Sequence, residues 1–553
     1  MFEIFIYSIL ITVLYSPYGI FLLKDFKPNI YHLSKQLIFG SIIICFISLV
    51  LNMLFPLNKF VTSSLIFFSI FLIFKKKDIF FSKKFLKFII LQSFIITILI
   101  TESNVYRPDA GLYHLPFIGI LNSEKIIFGI SNLHSRYGHI SILQYYSAIS
   151  NNFLFNNNGI VFPSAIIASA TIINFSSQIL KYIKKNNHNF HFLFIFFIFI
   201  YICYKMNRYG EYGNDAPAHF LLFFLVSELL ININKISYKD FGNNLLLTLF
   251  IVQNKLTLIF IIFLNFFNFK KINYKLFIKD KRFFFLSIFF SVWIIKNIFS
   301  TGCMLYPIEA SCFESLKWTN IKEIREISLG SEVWTKDWSN FENSSKISQE
   351  EFLSNFNWLD SWMKNHFKVI MEILIPYLVV SLILIVFLTY KNKKNKSSLN
   401  NYYFYFFIIF LSGSLFWFLK SPLYRYGYSF LICTFAFIFA FYCSKFSFMN
   451  KKDNKIFSFI LILGLSTIIS KNMIRINISD NEYYNYPWPK FYSMDKKNKL
   501  PTLDKTVLNK KIIYHPKKGD YCMYNNILCN QYGIDDDLKL INSNNNYLIF
   551  FKK

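Results

Sequence analysis

The residues best suited to chemistry gather in short polar stretches at the ends of apolar segments. The first, E-S-N-V-Y-R-P-D-A-G-L-Y-H-L-P at 102–116, sets Arg107, Asp109 and His114 directly after an apolar run. Pro108 and Gly111 flank Asp109 with turn formers that can hold a carboxylate against a membrane surface, which makes Asp109 a candidate general base. The second, G-I-S-N-L-H-S-R-Y-G-H at 129–139, adds His134, Arg136 and His139. Four of the chain's 17 glycines fall between 111 and 138, as defined turns and close backbone approach require. The third, N-R-Y-G-E-Y-G-N-D-A-P-A-H at 207–219, offers Asp215 or Glu211 as a second carboxylate. Two carboxylates suit base catalysis with an orienting partner, or a divalent cation such as Mg or Mn held by oxygen ligands. Capping the following helix is the plainer role for Asp215. The fourth, K-S-P-L-Y-R-Y-G-Y at 420–428, puts Arg425 in a very short turn, where it enters a cavity or snorkels to headgroups.

Arginine itself is a signal. Only 7 of the 59 basic residues are Arg, and Arg107, Arg136, Arg208 and Arg425 all lie in these stretches. A chain that otherwise uses Lys places a planar, permanently charged fork there, the group that grips oxyanions. The combination points to a site on a membrane face that takes a phosphate-bearing substrate.

The elements that position these residues are membrane helices. Mean hydropathy is +0.38, 54% of residues are hydrophobic and 20% aromatic, and apolar runs of spanning length recur. The formal charge of +28 is spread over Lys clusters between the runs, as the positive-inside rule expects, and calls for no nucleic acid. The pattern predicts an all-α polytopic protein with about twelve full spans: 2–23, 36–55, 60–74, 86–101, 159–180, 190–205, 215–232, 283–300, 366–390, 402–419, 423–444 and 456–470. Residues 2–23 lack the features of a cleaved signal and read as a retained span. The Lys-rich loops 24–35, 75–87, 181–189, 391–401 and 445–455 orient inward. The loops 102–158, 206–214, 301–365 and 420–422 and the tail 471–553 then lie outside. Loop 301–365, with ten acidic and six basic residues, opposes the chain's overall bias and fits that side. The organisation is an N-terminal helical part (1–101), an outer loop with interfacial helices (102–158), a core (159–300), a Trp-rich outer loop (301–365), C-terminal spans (366–470) and a small extracytoplasmic tail domain (471–553).

Residues 244–267 break the alternation, because Lys-bearing segments flank them on both sides. Two half-helices of about a dozen residues, rising about 1.5 Å each, reach only halfway across a bilayer. The segment reads as a re-entrant hairpin with Gln253, Asn254 and Lys255 at its tip, the alternative being one ordinary span. A Lys at membrane depth is a functional candidate. Cys303 and Cys312 share one outer loop, and Cys522 and Cys529 share the tail, which suggests two local disulfides in an oxidising compartment. Trp318, Trp334, Trp338, Trp358 and Trp362 in loop 301–365 read as an interfacial aromatic belt, with sugar stacking the alternative. The segments 114–122 and 139–155 read as helices lying along the interface. There is no phosphate-binding Gly-Lys-Ser/Thr loop and no dinucleotide fingerprint.

R-P-D-A-G-L-Y-H followed by G-I-S-N-L-H-S-R-Y-G resembles a family of uncharacterised polytopic bacterial membrane proteins with Asp-x-Gly-x-Tyr-His and Asn-Leu-His-x-Arg motifs. T-G-C-M-L-Y-P at 301–307, Cys312 and the tail cysteines fit the same resemblance. More distantly, the architecture resembles GT-C glycosyltransferases, which use polyprenyl-phosphate sugars. The chain departs from them in having three spans ahead of the one that leads into the Asp loop, and it lacks an Asp-Asp or Glu-Asp doublet. That resemblance implies a sugar transferred from a polyprenyl-phosphate donor to a glycan or lipid acceptor on the outer face of a bacterial inner membrane. Asp109 would be the base and Asp215 the second acid. Arg107, His114, His134, Arg136, Lys255 and Arg425 would bind substrate. An O-antigen polymerase or ligase, and a transporter or flippase of lipid-linked glycans, are the alternatives.

Overall fold

Helices begin where the sequence supplies a side-chain oxygen. Asn29, Asn58, Asn189, Asn273 and Asn320 each accept a backbone N–H from the turn that follows, as do Ser82, Ser237 and Ser348. Each such cap stabilises its helix by about 1 kcal/mol. The computed structural model describes residues 1–552 except 24–28, 103–108, 140, 207–212, 214, 232, 234–235, 270, 342–343, 391, 393–400, 447, 449–450, 479–487, 490–501, 518–520, 526 and 544–545. The described chain is mostly helical.

Among the described residues, eight helices are long and apolar enough to cross a membrane: Phe2–Phe21, Ile30–Leu54, Asn156–Lys184, Lys281–Thr301, Leu359–Thr389, Tyr402–Lys420, Tyr424–Cys443 and Asp453–Asn477. This is a multi-pass membrane protein. The other four expected spans also form helices, but they do not reach that standard. Lys59–Lys75, Phe190–Lys205 and Asp215–Ile231 have 17, 16 and 17 residues. Lys83–Ile100 has 18, and three are Lys. Pro217–Leu230 is buried without a break. Such a helix is apolar all round because other helices surround it.

Segments expected on one side of the membrane do meet. At the Lys-rich end, Lys35 pairs with Glu228 at 2.5 Å and Tyr31 donates to the same carboxylate at 2.7 Å. Arg282 donates to the Leu22 carbonyl at 2.7 Å and to Asn243 at 3.0 Å, and Lys271 donates to the Ile233 carbonyl at 2.7 Å. Lys84, Lys87 and Lys181 line one cavity with Asn29 and His32.

The opposite end is a layer built from 109–161, 302–367 and the tail, and two expectations need correction there. The fold is not all-α: the described tail forms two antiparallel hairpins, Leu503–Leu508 with Lys511–Pro516 and Leu538–Asn542 with Leu548–Lys552. Asn509 and Lys510 both have positive φ, the geometry of a tight two-residue hairpin turn. The helices Leu115–Ser123 and Leu143–Ser150 do not lie on a surface, since residues 115–122 and 143–150 are all buried. The tail covers them. Tyr524 donates to Asn122 at 3.1 Å, and Asn151 donates to Tyr524 at 2.5 Å. Tyr137 donates to the Cys529 carbonyl at 2.6 Å. Phe128 exchanges backbone bonds of 2.9 Å with Leu548 and Phe550. The tail therefore shares a core with the outer loop.

Both expected disulfides are present, Cys303–Cys312 and Cys522–Cys529, and Cys45, Cys203, Cys433 and Cys443 are free and buried. The chain folds back on itself within 244–267. The helix Tyr238–Asn254 ends at Lys255, which is extended (φ −149°, ψ 104°), and the chain returns as Leu256–Ile262 and Phe263–Phe269. Asn265 donates to Thr248 at 2.8 Å across the two arms.

Candidate active site

Four charged side chains from four separate segments meet in a row. Asp109 sits at the start of a π-helical turn, Ala110–His114. Asp215 opens the helix Asp215–Ile231, Lys255 is the hairpin tip, and Arg425 is on the first turn of Tyr424–Cys443. Arg425 reaches Asp109 through Nη1 at 3.1 Å and Asp215 through Nε at 3.7 Å. Lys255 pairs with the other oxygen of Asp215. The order is acid, base, acid, base, so the charges balance within the row. Side-chain exposure is 28% for Asp109, 32% for Asp215 and 44% for Arg425, against 8% for Lys255. Water, and hence a ligand, reaches three of the four.

The supports are specific. The turn before Arg425 is pinned by two indoles: Trp362 donates to the Pro422 carbonyl at 2.9 Å and Trp417 to that of Leu423 at 2.7 Å. His219, one helical turn past Asp215, joins two helices. Its Nε2 lies 2.9 Å from the Arg425 carbonyl and its Nδ1 2.7 Å from Ser429 Oγ. A carbonyl only accepts, so the proton is on Nε2 and Nδ1 accepts from the serine. With both nitrogens engaged, His219 is a positioning residue that fixes the spacing of Asp215 and Arg425. Gly111 leaves room for the tail: a Cβ there would meet Met523 Sδ at 2.5 Å and the Tyr521 ring at 2.7 Å. Met523 N–H donates to the Gly111 carbonyl at 3.0 Å.

Aromatic faces frame the cations. Lys255 Nζ is 3.8 Å from the Tyr426 ring centre. Arg425 lies 5.3 Å from the same ring and 5.7 Å from Trp334. Arg136 is 5.4 Å from Trp334 and 5.8 Å from Tyr113. One indole thus carries a guanidinium on each of two contacts, within the range at which ring and cation attract. Burial, and next the Asp109 carboxylate, push the Tyr113 hydroxyl well above its usual range, so it stays a hydrogen-bond donor.

The expected residues divide. Asp109, Asp215, Lys255 and Arg425 converge, and Arg136 joins them through Trp334. His114 lies one layer behind, with Nδ1 on the Gln144 amide, and burial pushes its pKa down to about 4. His134 does not join the site. It accepts from the Arg136 backbone N–H at 3.0 Å and stacks on Tyr532 of the tail at 5.8 Å, so it shapes the turn that presents Arg136. Arg107, Arg208 and Glu211 lie outside the described residues. A divalent cation does not fit these donors: the two carboxylates already hold Lys255 and Arg425. Among the described residues, no group of three His, Cys, Asp or Glu side chains could hold a metal. The aromatic belt is also corrected. Trp358 and Trp362 are buried, Trp318 donates to the Ile298 carbonyl at 2.9 Å, and only Trp338, 45% accessible, is exposed. Tyr113, Tyr426 and His219 are the residues that sequence reasoning missed, and Trp334, read as part of a belt, instead lies against Arg136 and Arg425. Tyr426 stands beside Arg425 in a stretch already singled out, which was a usable signal.

The fold and the site define a multi-pass membrane protein with a charged, aromatic-framed recess under its loop-and-tail layer. The chain belongs to the family described as "Domain of unknown function (DUF8201)", whose model matches residues 1–432 and so takes in all four members of the charged row. No curated protein and no solved structure matches it.

Proposed function

We propose that this protein is a membrane glycosyltransferase of GT-C type, which moves a sugar from a polyprenyl phosphate to an acceptor hydroxyl on the outer face of a bacterial inner membrane. One observation carries the reading. Asp109 and Arg425 share one accessible recess with Asp215 and Lys255, at the end of the bundle where the acid-rich loop and the tail gather. A lipid-linked donor also accounts for the missing nucleotide-binding motif.

In this reading the row stays closed until the donor arrives. The donor phosphate competes for the Arg425 guanidinium, which turns from Asp109 to the phosphate and releases the carboxylate. Asp109 then accepts the proton of the acceptor hydroxyl while its oxygen attacks the anomeric carbon. The sugar–phosphate bond breaks, its electron pair stays on the lipid phosphate, and the anomeric centre inverts. Arg425 and Lys255, together with Arg136, stabilise the charge that develops there, a preorganised electrostatic role. Asp215 holds Lys255 and Arg425 in place.

Replacing Asp109 with Asn keeps the shape and removes the basicity. Sugar transfer by the purified protein in lipid should fall by roughly 100- to 10,000-fold, the usual scale of general-base loss, with donor binding little changed. Near-normal transfer by the Asn variant would sink the mechanism and move a transporter of lipid-linked glycans ahead of it.

A further inference from the structure

The charged row neutralises itself, yet two further cations beside it have no acid. Lys296, on the helix Lys281–Thr301, is 2% accessible. Its ammonium has one side-chain hydrogen bond, 3.3 Å to the neutral amide of Asn297, and no carboxylate among the described residues lies within ion-pair distance. The Arg136 guanidinium lies against the aromatic faces of Tyr113 and Trp334, and among the described residues it has no ion pair. Nearby acids are occupied: Glu323 pairs with Lys552 at 3.0 Å, and Glu332 pairs with both Lys336 and Lys420. A buried ammonium without a counter-charge costs several kcal/mol of desolvation, and an ionisable group inside a span marks a functional site by default.

The two cations are linked through one residue, His139, whose imidazole feels both charges. The turn Ser135–His139 packs on the helix that carries Lys296. His139, the last residue of that turn, is accessible to solvent. Enclosure, then the charges of Arg136 and Lys296, lower its pKa and keep its imidazole neutral. Its ring meets Tyr306 at 4.9 Å, and the Tyr306 hydroxyl is buried with no hydrogen-bond partner. Gly138 lets the chain pass against that ring, since a Cβ would meet Tyr306 at 2.6 Å. A donor hydroxyl without an acceptor among the described residues, on the ring that meets His139, and two cations without anions describe the negative image of an anionic ligand.

We propose that Lys296, Arg136 and the Tyr306 hydroxyl form an anion-binding subsite around His139 that takes a doubly negative phosphate group carried by a lipid. Two uncompensated positive charges match a phosphate monoester or a diphosphate diester better than the single charge of a phosphodiester. The row of Asp109, Arg425, Asp215 and Lys255 contributes no net charge to that balance. The inference concerns ligand charge and does not depend on sugar transfer.

The test is a titration of the full chain in detergent with farnesyl phosphate, its methyl ester and farnesol, followed by calorimetry at pH 8. Farnesyl phosphate should bind, the methyl ester should bind roughly tenfold more weakly, a gap of about 1.4 kcal/mol, and farnesol should not saturate. Lys296→Met should weaken farnesyl phosphate by roughly tenfold or more and leave the unliganded melting temperature unchanged or raised, because an uncompensated buried charge has gone. A Lys296 that serves only packing would show the reverse, a lower melting temperature with unchanged affinity, and that result overturns the proposal. So does equal binding of all three probes by the wild type. Should Lys296→Met fail to fold, Tyr306→Phe, which removes only the buried hydroxyl and touches no residue of the charged row, is read for the same loss of affinity. Because sugar transfer is not the readout, the transferase reading can fail while this subsite stands, and the reverse.

Discussion

Arg425 Nη1 donates to Asp109 Oδ2 at 3.1 Å, joining residues 316 positions apart. The guanidinium also lies 3.7 Å from Asp215, so one side chain holds both carboxylates of the recess. A Lys at 425 would keep the charge but could not present a flat fork to two acids at once. Arg425→Lys should therefore lower transfer by roughly tenfold or more, and Arg425→Gln by more still, at the scale of about 1.4 kcal/mol per tenfold. Equal activity of the Lys and Arg forms would show that only charge matters there.

The Lys255–Asp215 pair should break asymmetrically. Asp215→Asn leaves an 8% accessible ammonium without its acid and should destabilise by about 3 kcal/mol, as one-sided removal of a buried pair does. Lys255→Met leaves Asp215 a third exposed and still beside Arg425, so its cost should be smaller. Thermal unfolding in detergent ranks the two. The opposite order would mean that Lys255 is not held charged by Asp215.

Acid should weaken the outer layer. Burial pushes His114 and His134 from the ordinary 6.5 down to about 4. Between those values the unfolded chain binds protons that the folded chain refuses. The stability they contribute is complete above about 6.5 and is lost as pH falls toward about 4, at up to about 1.4 kcal/mol per pH unit for each histidine. Melting temperatures at pH 7 and pH 5 should differ in the wild type and converge in His114→Gln and His134→Gln. An unchanged slope in both variants would place the acid sensitivity elsewhere.

Gly111→Ala should disturb the site from behind. The added methyl meets Met523 and Tyr521, and overpacking of this kind costs about 1–3 kcal/mol. Transfer should drop and the tail should become easier to cleave with protease. Met523→Ala in the same chain should recover part of both. A Gly111→Ala protein with normal activity and a protected tail would show that the contact is incidental.

What the sequence disclosed follows from contrast. In a chain of Phe, Ile, Lys and Asn, a lone Asp between Pro and Gly or an Arg in a short turn stands out, and Asp109, Asp215, Lys255 and Arg425 do converge. Lys255 was legible through topology, because a mid-membrane hairpin was needed to keep its basic flanks on one side. The aromatic frame was not legible. One residue in five is aromatic, so nothing local separates Trp334 or Tyr113 from a packing residue. The tail strands were hidden for a related reason: L-D-K-T-V-L and K-I-I-Y-H-P alternate only weakly within Asn- and Lys-rich sequence. Residues 115–122 and 143–150 read as surface helices because what buries them is distant in sequence: they pack on each other, 143–150 also packs on Ile30–Leu54 and Phe162–Lys184, and the tail closes over Gly119 and Asn122.

The contact between Gly111 and Met523 also sets an order of events in synthesis. The wall of the recess opposite the bundle is supplied by residues made roughly 400 positions after the loop they support, which at about 5–20 residues per second is on the order of half a minute later. Until the final helix is inserted and the segment behind it has folded against Gly111, the nascent protein has its charged row without its enclosure. Until that contact forms, the recess stays open on the side that Met523 and Tyr521 close.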